Sequence, residues 1–338
     1  METMSAWVVA EPGPIDSRPL VRRDIPLPHA GPGQVRLRVR TCGVCRTDLH
    51  LAEGDLRPKR PAVVPGHEVV GVVDECGAGA TRFALGDRLG AAWLAGTCRT
   101  CRFCRSGREN LCLSPTFTGW DVHGGYAPYV VVNEDFVYEV PAAFDDLHAA
   151  PLMCAGIIGY RALRRSELAP GGRLGIYGFG GSAHLTAQIA LAQGARVHVM
   201  TRSSDARDLA VSLGVSSVGD ASDAPPELLD AAILFAPVGS LVPAALAALD
   251  RGGTLAIAGI YLSDIPSLNY DEHLFFERTL RSVTANTRDD AREFLEIAAS
   301  LGIESTAAAY PFARADEALA DLAHDRVTGA AVLVDFDA

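Results

Sequence analysis

LGIYGFGGSAHLTAQIALAQ, residues 174–193, decides how the second half of this chain folds. Residues 174–177 are a short apolar run that reads as a strand, and 183–193 carry the spacing of a helix. Between them stands Gly178-Phe179-Gly180-Gly181-Ser182-Ala183. Glycines at the end of a strand allow a tight turn and let the backbone approach a pyrophosphate at the helix N-terminus. Ala183 replaces the third glycine, an accepted variant. The motif alone is weak, and its place between strand and helix favours dinucleotide binding over a purely structural glycine turn.

The pattern continues downstream. Strands are expected at 196–200, 231–236, 255–258 and 280–284, with a helix at 205–213 after the first of them. Short apolar strands alternating with amphipathic helices are the mark of a parallel sheet covered on both faces. Residues 289–301 predict a further helix, with Ala291, Phe294, Leu295, Ile297 and Ala298 forming one apolar face. Upstream the texture is different: 35–40 alternate apolar and polar residues, 69–73 are a β-branched run, and 126–132 and 136–140 repeat the theme. Strands at 306–311 and 330–336 could return to this first region. The expected organisation is a β-rich domain of residues 1–150 and 290–338 and a doubly wound α/β domain of residues 151–289.

The strand at 196–200 ends in Met200-Thr201-Arg202, where an NAD site usually presents a carboxylate to the ribose hydroxyls. Thr201 is neutral, whereas Arg202 and Arg207, with Ser203 and Ser204, could hold a 2'-phosphate, so NADP(H) is favoured over NAD(H). The alternative is a solvated helix start, with Asp205 capping it or approaching the ribose.

Eight cysteines distribute unevenly. Cys98, Cys101, Cys104 and Cys112 have the spacing C-x2-C-x2-C-x7-C, which lets four thiolates close around one zinc ion and leaves no position for substrate. Cys45, in Cys45-Arg46-Thr47-Asp48-Leu49-His50, follows a strand. His67 precedes one, and Cys154 lies in Pro151-Leu152-Met153-Cys154-Ala155-Gly156. Two cysteines and a histidine with an open fourth position form a known catalytic zinc arrangement, although sequence separation alone does not join these three. Cys42 with Cys45 makes a C-x2-C pair open to a redox dithiol or half of another structural site. Cys76 is expected to be a small buried residue.

At 338 residues, two domains are the natural expectation. A hydrophobic content of 49% with 21% charged residues describes a globular chain, not a disordered one. The net charge of −11 argues against nucleic acid or an anionic membrane surface as a partner. Lys59 is the only lysine, which excludes a Walker loop and other lysine chemistry of that kind. The first residues show no basic-then-apolar signal, and the long uncharged stretches are broken by glycine or proline, so no membrane span is expected. Cysteine usage without a secretory signal points to a reducing, cytoplasmic setting.

The chain resembles the zinc-dependent alcohol dehydrogenases of the medium-chain dehydrogenase/reductase superfamily. Over nearly its whole length it carries, in the family's order, CGVCRTDLH (42–50), PGHEVVG (65–71), GDRLG (86–90), CRTCRFCRSGRENLC (98–112), PLMCAG (151–156) and GFGGSAHLTAQ (178–188). The resemblance implies a GroES-like catalytic domain and a Rossmann cofactor domain. It assigns Cys45, His67 and Cys154 to a catalytic zinc and the other four thiolates to a structural one, two zinc ions per chain. Glu68 matches an acid able to approach the metal, and Asp48 a carboxylate that orients the ligand imidazole. Thr47 and His50 match a proton relay, and Arg46 a contact to the cofactor pyrophosphate.

The implied function is hydride transfer between a nicotinamide and a small alcohol or aldehyde, mainly as an aldehyde reductase, in a homodimer or homotetramer. A same-superfamily reductase of an activated C=C or C=N bond is an alternative, as is a non-catalytic cofactor-binding zinc protein. Trp93 and Trp120 are matched to the substrate pocket, where they would favour primary alcohols and aldehydes; core packing is the competing reading. Gly329-Ala330 departs from the family pattern, in which an arginine meets the cofactor, and Arg288 or Arg202 could compensate.

Overall fold

A computed structural model of the protein describes residues 2–336. The chain divides into two compact units, one of Met1–Cys154, Ala285–Ala299 and Ser305–Ala338, the other of Ala155–Thr284 and Ser300–Glu304. Where the sequence reading divides the chain at 150/151 and 289/290, the units divide at 154/155 and 284/285.

The second unit holds six strands, numbered within it: β1 (Arg173–Tyr177), β2 (Arg196–Met200), β3 (Ser217–Gly219), β4 (Leu229–Leu234), β5 (Leu249–Ile257) and β6 (Thr279–Ser282). They form one sheet in the order β3-β2-β1-β4-β5-β6, with all neighbours parallel. Helix Gly181–Ala192 connects β1 to β2 and helix Ser204–Ser212 connects β2 to β3. Leu174, Ile176, Val197, Val199, Ile233 and Leu255 have no solvent exposure, as expected for strands covered on both faces. The strand order reverses between β1 and β4, and ligands of such sheets bind at the carboxyl ends of the strands there. Gly178 occupies that end of β1 with φ +84°, and a Cβ on it would lie 2.8 Å from the backbone nitrogen of Ala236. Both facts require glycine.

The first unit is built mostly on antiparallel pairing, the pair Ala307–Pro311 with Ala330–Val334 being parallel. Its largest sheet runs Ala307–Pro311, Ala330–Val334, Gln34–Val44, Glu68–Cys76, Arg88–Ala91, Val137–Glu139, with Tyr129–Asn133 also paired to Gln34–Val44. The returning C-terminal strand takes its place by setting Ala331, Val332 and Leu333 opposite Val44, Gly43 and Cys42. The strand expected at 126–132 begins only at Tyr129 because Pro128 has no N–H to give a ladder. Residues 46–53, which follow a strand in the sequence reading, form a helix, Arg46–Glu53. The hairpin Thr3–Val9 with Leu20–Pro26 and the helix Ala315–Ala323 go beyond the sequence reading. Cys76 is exposed, contrary to expectation, because it ends its strand with Sγ turned toward the carbonyl of Phe83. No described helix is long and apolar enough to cross a membrane.

The register fixes the site. Gly43 stands opposite Glu68, so the end of one strand, followed by Cys45, adjoins the start of the next, preceded by His67. A Cβ on Gly43 would overlap the Glu68 carboxylate and lie 2.8 Å from the Glu68 Cβ. Gly43→Ala is therefore expected to cost about 2 kcal/mol in denaturant unfolding through overpacking. Gly180→Ala, where an added Cβ meets nothing within 4 Å, should stay within about 0.5 kcal/mol.

Candidate active site

Strand pairing delivers Cys45, His67 and Glu68 to one place, and the turn Ala150–Met153 delivers Cys154 to the same place. One donor atom from each of the four lies within 4.8 Å of all the others. The Cys45 and Cys154 sulfurs are 4.0 Å apart, and His67 Nε2 is 3.3 Å from Cys154 Sγ. Donors at about 2.0–2.3 Å from a tetrahedral zinc ion stand about 3.3–3.8 Å from one another, so the separations fit that metal.

Asp48 organises the cluster from behind. Its carboxylate accepts the N–H of Cys45 and the N–H of Gly66, each at 2.9 Å, and the hydroxyl of Tyr126 at 3.4 Å. Its Oδ1 also faces His67 Nδ1 at 3.5 Å, and that buried nitrogen has no hydrogen-bond partner among the described residues. Nδ1 is thereby directed to the carboxylate and Nε2 to the sulfurs, the tautomer a metal-binding imidazole needs.

Charge makes the same case. The hydrogen bond with Cys154 lowers the Cys45 thiol well below its ordinary range, against the effect of burial, and His67 lowers it further. The same contact, then burial, raises Cys154. Burial also pushes Glu68 well up, with the Cys45 charge adding to it. Two thiols and the Glu68 carboxyl crowded around His67, the one cationic group of the cluster among the described residues, cannot all ionise together, and a dication resolves that conflict.

The second cysteine group assembles around the short helix Arg102–Arg105. Sulfur separations are 3.5 Å for Cys101–Cys104 and Cys98–Cys112 and 4.0 Å for Cys98–Cys104, close to the about 3.8 Å of a tetrahedral four-thiolate zinc site. Backbone N–H groups of Cys98, Cys101 and Ser114 point at these sulfurs. Hydrogen bonds from the backbone of Thr100 and Cys101 lower Cys98 to about 6, whereas desolvation and its sulfur neighbours raise Cys104 to about 12.

Thr47 is buried, with Oγ1 3.7 Å from Cys45 Sγ. His50, on the same helix, holds Asp55 through Nδ1 at 3.0 Å. Arg46 is ion-paired with Asp325 at an exposed position. The Trp93 and His67 rings meet edge to face, 4.9 Å between centroids and 68° between planes. Phe117 and Trp120 stack against Trp93 at 4.9 and 6.0 Å. Phe117 goes beyond the sequence expectation of the two tryptophans, although it stands three residues before Trp120 in Phe117-Thr118-Gly119-Trp120.

In the second unit, helix Gly181–Ala192 has Gly180 at its N-cap with no side-chain cap and no acidic residue in its first turn. Its N–H groups, beside the open space at Gly180, fit an anion. Ser203, not Asp205, caps the next helix by accepting the Ala206 N–H. Arg207 donates to the carbonyls of Thr201 and Arg202 and approaches Asp220. Arg202 is exposed beside the buried Thr201. Arg288 is committed elsewhere: its side chain and backbone bind Glu109 at 2.7–3.1 Å, which corrects the expectation that it could meet the cofactor.

The alcohol dehydrogenase GroES-like domain family matches residues 31–142, and the zinc-binding dehydrogenase family matches residues 181–300. A probable alcohol dehydrogenase, AdhA, of Mycobacterium tuberculosis (strain CDC 1551 / Oshkosh) is 58% identical over 98% of this chain and 97% of its own. The chain belongs to the zinc-dependent alcohol dehydrogenases of the medium-chain dehydrogenase/reductase superfamily. The dehydrogenase also superposes on the acetophenone reductase of Geotrichum candidum NBRC 4597 in complex with NAD, with TM-score 0.90, 26% identity and coverage of 100% and 98% of the two chains. The Helicobacter pylori CAD complexed with NADP(H) gives TM-score 0.89, 25% identity and 98% coverage of each.

Glu109, three residues before Cys112, ties the four-cysteine lobe to helix Arg288–Leu301 of the dehydrogenase. Burial alone would raise its pKa, but the hydrogen bonds and charge of Arg288 outweigh burial and hold it lower. A depressed carboxylate adds stability above its unfolded pKa and loses it as pH falls through the folded value. Glu109→Gln should therefore cost about 2 kcal/mol at pH 7. Urea unfolding across pH should show the gap to wild type closing below about pH 4.

Proposed function

We propose that this alcohol dehydrogenase works mainly as an aldehyde reductase on small, unhindered substrates, with NADP(H) favoured over NAD(H). The observation that carries the reading is the convergence of half-buried Cys45 and Cys154 on buried His67 and Glu68. Cys45, His67 and Cys154 would hold a catalytic zinc ion, with Glu68 near enough to join or leave its shell, and the four-cysteine group would hold a second, structural ion. Bound zinc supplies a Lewis acid that polarises a carbonyl or acidifies an alcohol, and bound nicotinamide supplies or receives the hydride.

The chain's own residues do the rest. Asp48 keeps His67 in the tautomer that presents Nε2. The Thr47 hydroxyl, buried beside Cys45, would hydrogen-bond a substrate oxygen, and His50, whose ring is steadied by Asp55, would be the group that receives the proton. Trp93 narrows the space beside His67, which supports slim aldehydes over bulky ketones. The helix N-terminus at Gly180 would receive the pyrophosphate. Arg46, ion-paired with Asp325, is kept as a proposed cofactor contact on the strength of the family resemblance. Arg202, beside neutral Thr201, would meet a 2'-phosphate.

The dehydrogenase is further read as a cytoplasmic homodimer or homotetramer. Eight free cysteines support a reducing compartment. The edge strand β6 is paired on one side only, and Tyr261, Tyr270, Phe275 and Phe276 are exposed in the residues leading to it, features that suit a second copy.

A panel of aldehydes, ketones and enones assayed with both nicotinamides tests this reading. Unbranched aldehydes with NADPH should give the highest kcat/KM. Arg202→Ala should weaken NADPH about tenfold or more and leave NADH nearly unaffected. Reduction of enones with no aldehyde turnover, or equal losses for both cofactors in the variant, would contradict it.

A further inference from the structure

The chain's only lysine is placed where it bears on the aromatic wall beside the metal cluster. Lys59 Nζ sits 3.7 Å from the Trp120 ring centroid and 6.0 Å from that of Phe117, and it pairs with Asp121 Oδ1 at 2.8 Å. The other oxygen of Asp121 accepts the Phe117 N–H at 2.9 Å. From the same loop as Lys59, the carbonyl of Arg57 accepts the indole N–H of Trp120 at 2.9 Å. Two loops are thus joined by a charge on a ring face, an ion pair and a hydrogen bond.

These contacts hold the outer end of a stack that reaches the metal cluster. Trp120 lies parallel to Trp93, 6° between planes, and Trp93 abuts the His67 ring. Phe117, whose backbone Asp121 restrains, packs against both tryptophans. Without the lysine charge, the partly buried Asp121 has lost its cation and the Trp120 face its cover. The loop that presents two of the three rings is then free to shift.

We propose that Lys59 is a specificity-determining positioning residue: it latches Trp120 and Phe117 so that the aromatic wall stays rigid and bulky aldehydes are kept out. The inference rests on the reading that this wall lines the substrate site. Lys59 touches neither the reacting atoms nor the cluster donors, so its influence falls on KM through the wall.

The test compares wild type, Lys59→Met and Lys59→Arg with propanal and 2-naphthaldehyde as probes. In Lys59→Met the ratio of kcat/KM for the naphthaldehyde over propanal should rise about tenfold, carried by KM, the combined scale of an exposed cation–π contact and an ion pair. Lys59→Arg, which keeps the cation, should keep the ratio within about twofold. Acetylation of folded wild type with an N-hydroxysuccinimide ester forms an amide on Nζ and releases N-hydroxysuccinimide and a proton. It should reproduce the Met ratio and leave Lys59→Arg unchanged, so a poorly folding Met variant does not spare the idea.

An unchanged ratio in the Met variant or after acetylation would overturn the latch, as would an Arg variant that behaves like Met. Should wild type reduce neither probe, the functional reading fails and the latch is judged on acrylamide quenching of tryptophan fluorescence. Quenching should increase in Lys59→Met and not in Lys59→Arg, and equal quenching in all three forms would overturn it.

Discussion

Negative charge crowded around one histidine is the constraint on which this structure turns. Half-buried Cys45 and Cys154 and buried Glu68 and Asp48 converge on buried His67. An arrangement of that kind is costly in the absence of a cation, and the cost depends on backbone geometry that side chains cannot relax. The antiparallel register of Gly43 against Glu68 places three of the donors, and the 150–153 turn places the fourth. The C-terminal strand, paired to residues 42–44, reinforces the edge from which Cys45 projects. Much of the β-rich unit therefore serves to hold a few donor atoms at separations that suit one metal ion.

The α/β unit solves a different problem with different means. Its parallel sheet buries every central strand and leaves the carboxyl ends of the strands as the place where the backbone is accessible. Gly178 turns the chain there, and an uncapped helix follows with its N–H groups facing open space. The two units thus divide the chemistry: thiolates, imidazole and carboxylates gather in one, and anion-binding backbone in the other. The four-cysteine lobe belongs to the first and is bound to helix Arg288–Leu301 by the Glu109–Arg288 pair, which makes it an anchor of that unit.

The fold was largely legible from local patterns because period and punctuation are strong in this chain. Strand, glycine turn and helix at 173–192 can be read in isolation, and the parallel order follows once the alternation is seen. Elements whose stability comes from distant partners were harder. The hairpin of residues 3–26 depends on contacts such as the Trp7 indole donating to the Phe312 carbonyl, 305 positions away. The four-cysteine group was evident from spacing, since its donors are local. The other donors were not, because 109 residues separate Cys45 from Cys154 and only tertiary pairing or a family resemblance joins them. Partners of individual charges were the least legible: Arg288, Arg207 and Arg46 all proved to be engaged within the chain. Lys59 drew notice only for being alone, and its position over Trp120 depends on two loops meeting.

Zinc absorption spectroscopy at the K-edge, combined with metal quantification of the purified chain, addresses the central claim most directly. The account predicts two zinc ions per chain. Their combined shell should average three sulfur neighbours per ion, four on one and two on the other, with imidazole and oxygen completing the second. A single zinc surrounded only by sulfur would contradict it, because the donors around His67 would then balance their charges without a metal.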